Sequence, residues 1–154
     1  MTANQAARAT DDKQAEPRRS DFRFFTSIPT RWSDNDMFGH LNNVAYNRFF
    51  EAVVLAFFRA RTPLNLDADA VIPFAAEVLC RFRKPLSFPE TVEGGLCIEH
   101  LGKSSVRYGL ALFREGDDEP SAYGHWVHVF VDRKEQRPAP VPEAARQVFE
   151  TYRR

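Results

Sequence analysis

Between Asn43 and Arg61 the large apolar side chains fall at positions 46, 49, 50, 53, 54, 57 and 58. This is the i, i+3, i+4, i+7 spacing of one helical face, and it predicts a long amphipathic helix. Ala52, Ala56 and Ala60 raise its helix propensity, Asn42 or Asn43 can cap its start, and Pro63 stops it. Its polar stripe, Arg48, Glu51 and Arg59, is narrow, so most of its circumference should be buried.

Elsewhere the pattern alternates with period two, the mark of half-buried antiparallel strands. Phe22 to Trp32 reads as a first strand. Over 74–83, Phe74, Ala76, Val78, Cys80 and Phe82 share one face and Glu77, Arg81 and Arg83 the other. Over 91–100, Val92, Gly94, Leu96, Ile98 and His100 share a face; over 104–114, Val106, Tyr108, Leu110 and Leu112 do. Tyr123 to Asp132 is apolar on both faces, which places it inside the sheet. Leu101-Gly102-Lys103-Ser104 fits a hairpin turn, Gly116 to Pro120 a second turn, and Glu143 to Arg154 a short terminal helix. The order is strand, long helix and a four-strand meander, an α+β chain. So apolar a helix calls for a strongly curved sheet of about five strands wrapped around it. The apolar outer face of that sheet predicts a partner subunit.

Composition narrows the picture. The 154 residues suffice for one domain, taken as 21–154, and residues 1–20 lack apolar groups and read as a disordered tail. Hydrophobic residues make up 44% and 14 are Phe, a globular composition. Formal net charge is zero, so no bulk pull toward nucleic acid or an anionic membrane is expected. No apolar run reaches the ~20 residues of a membrane span. Cys80 and Cys97 read as buried free thiols, which fits a reducing, cytoplasmic compartment.

Candidate chemistry concentrates at Asp34, Asp36, His40, Asn42 and Asn43, between the first strand and the start of the long helix. Such residues also serve as ordinary caps and corners. Their density beside a helix N-terminus, with its unpaired N–H groups and positive dipole end, equally suits carbonyl chemistry. Calcium fails the loop pattern, since Phe38 and Ala45 stand where oxygen ligands are required. Zinc fails because His125 and His128 point to opposite faces of a strand, and His40 and His100 have no neighbour at ligand spacing. There is no G-x-S-x-G or G-x-G-x-x-G, and Gly102-Lys103-Ser104 lacks the rest of a phosphate loop.

The run Arg31-Trp32-Ser33-Asp34-Asn35-Asp36-Met37-Phe38-Gly39-His40-Leu41-Asn42-Asn43, with Tyr46 and Phe49-Phe50-Glu51 downstream, resembles the hotdog-fold acyl-CoA thioesterases of the 4-hydroxybenzoyl-CoA thioesterase type. Arg83-Lys84-Pro85, the Leu101 to Ser105 hairpin and Val127-His128-Val129-Phe130-Val131-Asp132 extend the likeness over roughly residues 22 to 150. The resemblance implies a hotdog fold, hydrolysis of an acyl-CoA, Asp36 as catalytic carboxylate with His40 beside it, and a channel at the interface of a homodimer or of a tetramer built from dimers. The sister hydratases use Asp-x-Asn-Pro-x-His, and here no Pro intervenes between Asp36 and His40.

Under that reading Asp36 attacks the thioester or deprotonates a water that does. Backbone N–H groups near Asn42, Asn43 and Val44 would stabilise the oxyanion, Tyr46 would help position the substrate, and His40 would orient the carbonyl or tune Asp36. Asp34 is read as a loop or capping residue. No metal or other cofactor is called for. The phosphates of coenzyme A would meet Lys103, Arg133 and Lys134. The competing readings are an acyl-CoA or acyl-ligand binding protein without turnover, and an acyl-carrier-protein thioesterase.

Overall fold

A computed structural model describes residues 15–154 of the chain. One long helix, α1 (Asn43–Arg61), follows the short first strand β1 (Phe24–Pro29). Then come β2 (Val71–Phe82), β3 (Thr91–Leu101), β4 (Ser105–Arg114), β5 (Ala122–Asp132) and a C-terminal helix α2 (Glu143–Thr151). All strand pairs are antiparallel, in the order β1-β3-β4-β5-β2. This α+β architecture, a long helix against a curved five-strand sheet, is the hotdog fold.

The apolar face of α1 is the core. Tyr46, Phe49, Phe50, Val53, Val54, Phe57 and Phe58 are all buried, against Leu96, Ile98, Tyr108, Leu110 and Phe130 of the sheet. The approach is close: a Cβ on Gly94 of β3 would sit 2.1 Å from Val53 Cγ2, so only glycine fits without repacking. Asn43, Val44, Asn47, Arg48, Glu51, Arg59, Ala60 and Arg61 stay exposed. The helix is thus buried on one broad face rather than around most of its circumference.

The topology corrects the expected four-strand meander. Only β3, β4 and β5 run as one; β2 crosses to the far edge and pairs with β5. A bulge between Ala75 and Glu77 also switches the phase of β2. Val78, Cys80 and Phe82 share the inner face with Trp126, Gly124 and Ala122, whereas Phe74 pairs with Val129 on the outside. A second irregularity between Ile98 and His100 sends His100 outward beside Arg107 and returns Leu101 to the core. On β5, Trp126, His128 and Phe130 face α1, while His125 lies on the outer face between Glu77 and Arg107.

Of the segment expected as a tail, residues 1–14 lie outside the described residues. Residues 15–20 run onto the outer face of the sheet. Pro17 is buried, Arg19–Asp21 form a 3-10 turn, and Arg19 pairs with Glu93 while lying 4.6 Å from the Phe113 ring centroid. Phe22 then packs on Phe113, Ala111 and Cys97. Part of the outer face is covered by the chain itself.

Candidate active site

β1 ends at Pro29, and the chain turns through Trp32–Asp34, one 3-10 turn. Asp34 is 3% exposed. Its Oδ2 accepts the Arg31 backbone N–H at 2.8 Å, and its Oδ1 accepts from the guanidinium groups of Arg31 and of Arg48 on α1. Its backbone carbonyl accepts the Asn42 N–H at 2.8 Å. Burial alone would raise the Asp34 pKa. The hydrogen bonds from Arg31 and the charge of Arg48 outweigh it and hold the carboxyl below its ordinary 3.8. This carboxylate is saturated with donors, and it fastens the loop to the helix start.

The next residues close a tight loop. The Asp36 N–H donates to the His40 carbonyl at 2.8 Å, the Gly39 N–H to the Asp36 carbonyl at 3.2 Å, and the Phe38 N–H to Asp36 Oδ1 at 2.8 Å. Gly39 has φ of +81°, a left-handed conformation that costs glycine little. The connector after β2 pins the loop from its other side. Leu41 N–H donates to the Leu86 carbonyl at 2.7 Å, Ser87 Oγ to the Gly39 carbonyl at 2.9 Å, and Phe88 N–H to Asn35 Oδ1 at 2.9 Å.

The helix start is partly occupied. Asn42 is the N-cap, and its side chain accepts the Val44 N–H at 2.9 Å. Since the Asn42 N–H is bound to Asp34, the Asn43 N–H is the one of these three left without a partner among the described residues. The same holds for the second carboxylate oxygen of Asp36, Oδ2.

Asp36, His40, Leu41, Asn43 and Tyr46 line one open groove of about 490 Å³. Phe82, Arg83, Lys84 and Pro85, from the end of β2 and the start of its connector, complete its lining. The Tyr46 and Phe82 rings meet edge-on with centroids 5.0 Å apart. Burial pushes the Tyr46 hydroxyl above its ordinary pKa, so it is a neutral donor at physiological pH. Among the described residues no three His, Cys, Asp or Glu gather as a metal-ligand set.

Four of the residues singled out from sequence, Asp36, His40, Asn43 and Tyr46, are therefore brought together. Asn42 and Val44 serve the cap, and the Val44 side chain projects into solvent. Lys103, Arg133 and Lys134 lie at the opposite end of the sheet. Strands of ten to twelve residues separate them from the groove, roughly 30 Å at about 3.3 Å per residue. Arg133 there donates to the Leu66 and Asp69 carbonyls and holds the loop between α1 and β2. The groove's own cations, Arg83 and Lys84, had a signal in the Arg83-Lys84-Pro85 run, but nothing in the sequence set them beside Asp36.

Comparison with known proteins gives the family and the fold. The family model described as the thioesterase-like superfamily matches residues 30–149. The crystal structure of the PA5185 protein of Pseudomonas aeruginosa is similar at 40% identity and a TM-score of 0.87, covering 90% of this chain and 97% of that one. A thioesterase of Thermus thermophilus, solved in complex with coenzyme A and zinc, is 27% identical with a TM-score of 0.71, covering 83% and 98% of the two chains. The protein YsmA of Bacillus subtilis is 28% identical over 72 residues, 47% of this chain and 49% of its own, so the match spans about half the length of that curated relative. No helix among the described residues is long and apolar enough to cross a membrane. The match over residues 30–149, joined to the hotdog fold, makes this chain a member of the thioesterase-like superfamily.

Proposed function

We propose that the chain hydrolyses an acyl-CoA thioester in the manner of the 4-hydroxybenzoyl-CoA thioesterases, with Asp36 as the reacting carboxylate. One juxtaposition carries this reading: a carboxylate with a free oxygen and an unpaired helix N-terminal N–H, that of Asn43, share one groove. Attack on the thioester carbonyl turns its oxygen into an oxyanion. The Asn43 N–H and the positive end of α1 would take that charge, and a fixed donor of this kind stabilises the transition state more than the ground state. The Phe38 N–H on Oδ1 holds the carboxylate in place and leaves Oδ2 to act. It either bonds to the acyl carbon and expels the thiolate, giving an anhydride that water opens, or removes a proton from the water that attacks. His40 and the neutral Tyr46 hydroxyl would orient the carbonyl.

The same reading includes a homodimer. β2 is an edge strand of 12 residues with Phe74, Val78, Leu79 and Phe82 exposed. Pairing of two β2 edges would satisfy its open hydrogen-bonding groups and cover these side chains.

The test is thiol release across short, long and aromatic acyl-CoA thioesters, with Asp36→Asn beside the native chain. The variant keeps the shape and loses the charge. Its kcat should fall about 10²–10⁴-fold with KM little changed. An active enzyme in which Asp36→Asn keeps its full kcat would overturn the assignment.

A further inference from the structure

The turn that presents Asp36 has little packing of its own. Met37 and Phe38, between Asp36 and Gly39, are 91% and 77% exposed, so hydrogen bonds rather than burial hold it. The β2–β3 connector supplies one of these bonds through a side chain: Ser87 Oγ donates to the Gly39 carbonyl at 2.9 Å. Ser87 is held in turn by Glu90, whose two carboxylate oxygens are both engaged. Oε2 accepts the Ser87 N–H at 2.8 Å, and Oε1 accepts from Nε of Arg114, the last residue of β4, at 2.7 Å. The Glu90 N–H donates back to the Ser87 carbonyl at 2.9 Å, and the Glu90 carbonyl accepts from Thr30 Oγ1, just after β1, at 2.6 Å. A chain of contacts thus runs from the sheet through Arg114, Glu90 and Ser87 to Gly39.

Gly39 is where this chain meets the chemistry. Its N–H donates to the Asp36 carbonyl at 3.2 Å, and its own carbonyl belongs to the peptide that leads into His40. A glycine has no side chain to hold its φ of +81° against the alternatives open to it. We infer that Ser87 is a positioning residue for the hydrolysis. Its hydroxyl fixes the Gly39–His40 peptide plane, and through it the Asp36 turn and the direction in which the His40 side chain leaves. Glu90 and Arg114 keep Ser87 in place. The inference rests on the acyl-CoA reading with Asp36 as the reacting carboxylate. Ser87 is not among the residues that line the groove, so it acts through the loop. A reacting group displaced by about 1 Å can cost on the order of 10²-fold in rate, whereas one partly exposed hydroxyl adds little to global stability.

The test pairs thiol release with amide hydrogen exchange on the full chain. Ser87→Ala removes the hydroxyl and Ser87→Thr keeps it. Ser87→Ala should lower kcat about tenfold with KM and melting temperature nearly unchanged, and Ser87→Thr should recover most of the loss. Glu90→Gln should lower kcat by less, and should cost little more in the Ser87→Ala background, because both act through one bond. Exchange needs no turnover: Ser87→Ala should speed it at the Asp36 and Gly39 N–H groups and leave the amides of α1 unchanged. Unchanged exchange at Asp36 and Gly39 overturns the hold of Ser87 on the loop. Faster exchange beside an unchanged kcat, or a raised KM in place of a lowered kcat, overturns the positioning role and leaves hydrolysis standing. Faster exchange in a chain that releases thiol from no acyl-CoA overturns the hydrolysis, while the hold of Ser87 on the loop stands.

Discussion

Asp34 and Asp36 stand two positions apart and carry the same side chain, yet their surroundings separate them. Asp34 spends its oxygens on Arg31 and Arg48, whereas Asp36 keeps one oxygen open to the groove. Asp34→Asn should therefore act on stability. With both arginines partly exposed, a loss of about 1–3 kcal/mol near neutral pH is expected. The pH dependence has a definite sign. The folded Asp34 pKa lies below the ordinary 3.8, so its contribution is fully present above that value and is lost as pH falls through the folded value. The gap between native and variant denaturant midpoints should be constant above about pH 4 and should close in stronger acid. A gap that stays constant down to pH 2 would show that the charge of Asp34 contributes nothing. Which carboxylate binds the scaffold was partly legible, because a capping role for Asp34 follows from its place in a turn. That Asn43, of the three residues at the helix start, keeps an N–H without a partner among the described residues was not, since it depends on where the Asn42 side chain and the Asp34 carbonyl point.

At the scale of elements, α1 was legible to the residue, because a 3.6-residue period over 19 positions with a clear cap and stop admits one answer. The strands were legible as strands, and their phase was legible except across two irregularities, at the start of β2 and the end of β3. Alternation fixes a face only while the ladder is regular, and the irregularities near Ala76 and Glu99 shift the phase without any change in hydrophobic composition. Nor does alternation say which strand a segment pairs with, so the crossing of β2 to the far edge was invisible. β5 also carries a titration that follows from its regular phase. His128 is buried against Tyr108, Trp126 and Phe58, and burial lowers its pKa to about 4. The unfolded chain protonates this side chain near 6.5 while the folded chain does not, so between about pH 6.5 and pH 4 stability should fall as pH falls. The full effect is on the order of 3 kcal/mol. His128→Gln should be less stable at neutral pH but should show a flatter decline through that window. Parallel slopes for native and variant chains would sink this account of β5.

At the scale of the whole molecule, the end of β2 lines the open groove, and among the described residues the strand has no partner strand on its outer edge. Pro73 and the bulge after Ala75 blunt the first half of this edge, but Val78, Leu79 and Phe82 leave its second half apolar and exposed, which is unusual for a chain that stays alone. On its other edge β2 lies close against β5: a Cβ on Gly124 would sit 1.8 Å from the Leu79 carbonyl oxygen. Light scattering at micromolar concentration should therefore find at least twice the 17.7 kDa mass of the chain. Leu79→Lys places a charge on the partly exposed edge strand, in the way natural sheets block edge pairing. It should leave the far-ultraviolet circular dichroism spectrum intact and shift the mass toward the monomer. If the groove is completed by the second copy, thiol release should fall in step with the dimer fraction. Activity that follows protein concentration rather than dimer fraction would mean that each chain works alone. A native chain that remains monomeric would leave the exposed Phe74, Val78 and Phe82 to another partner.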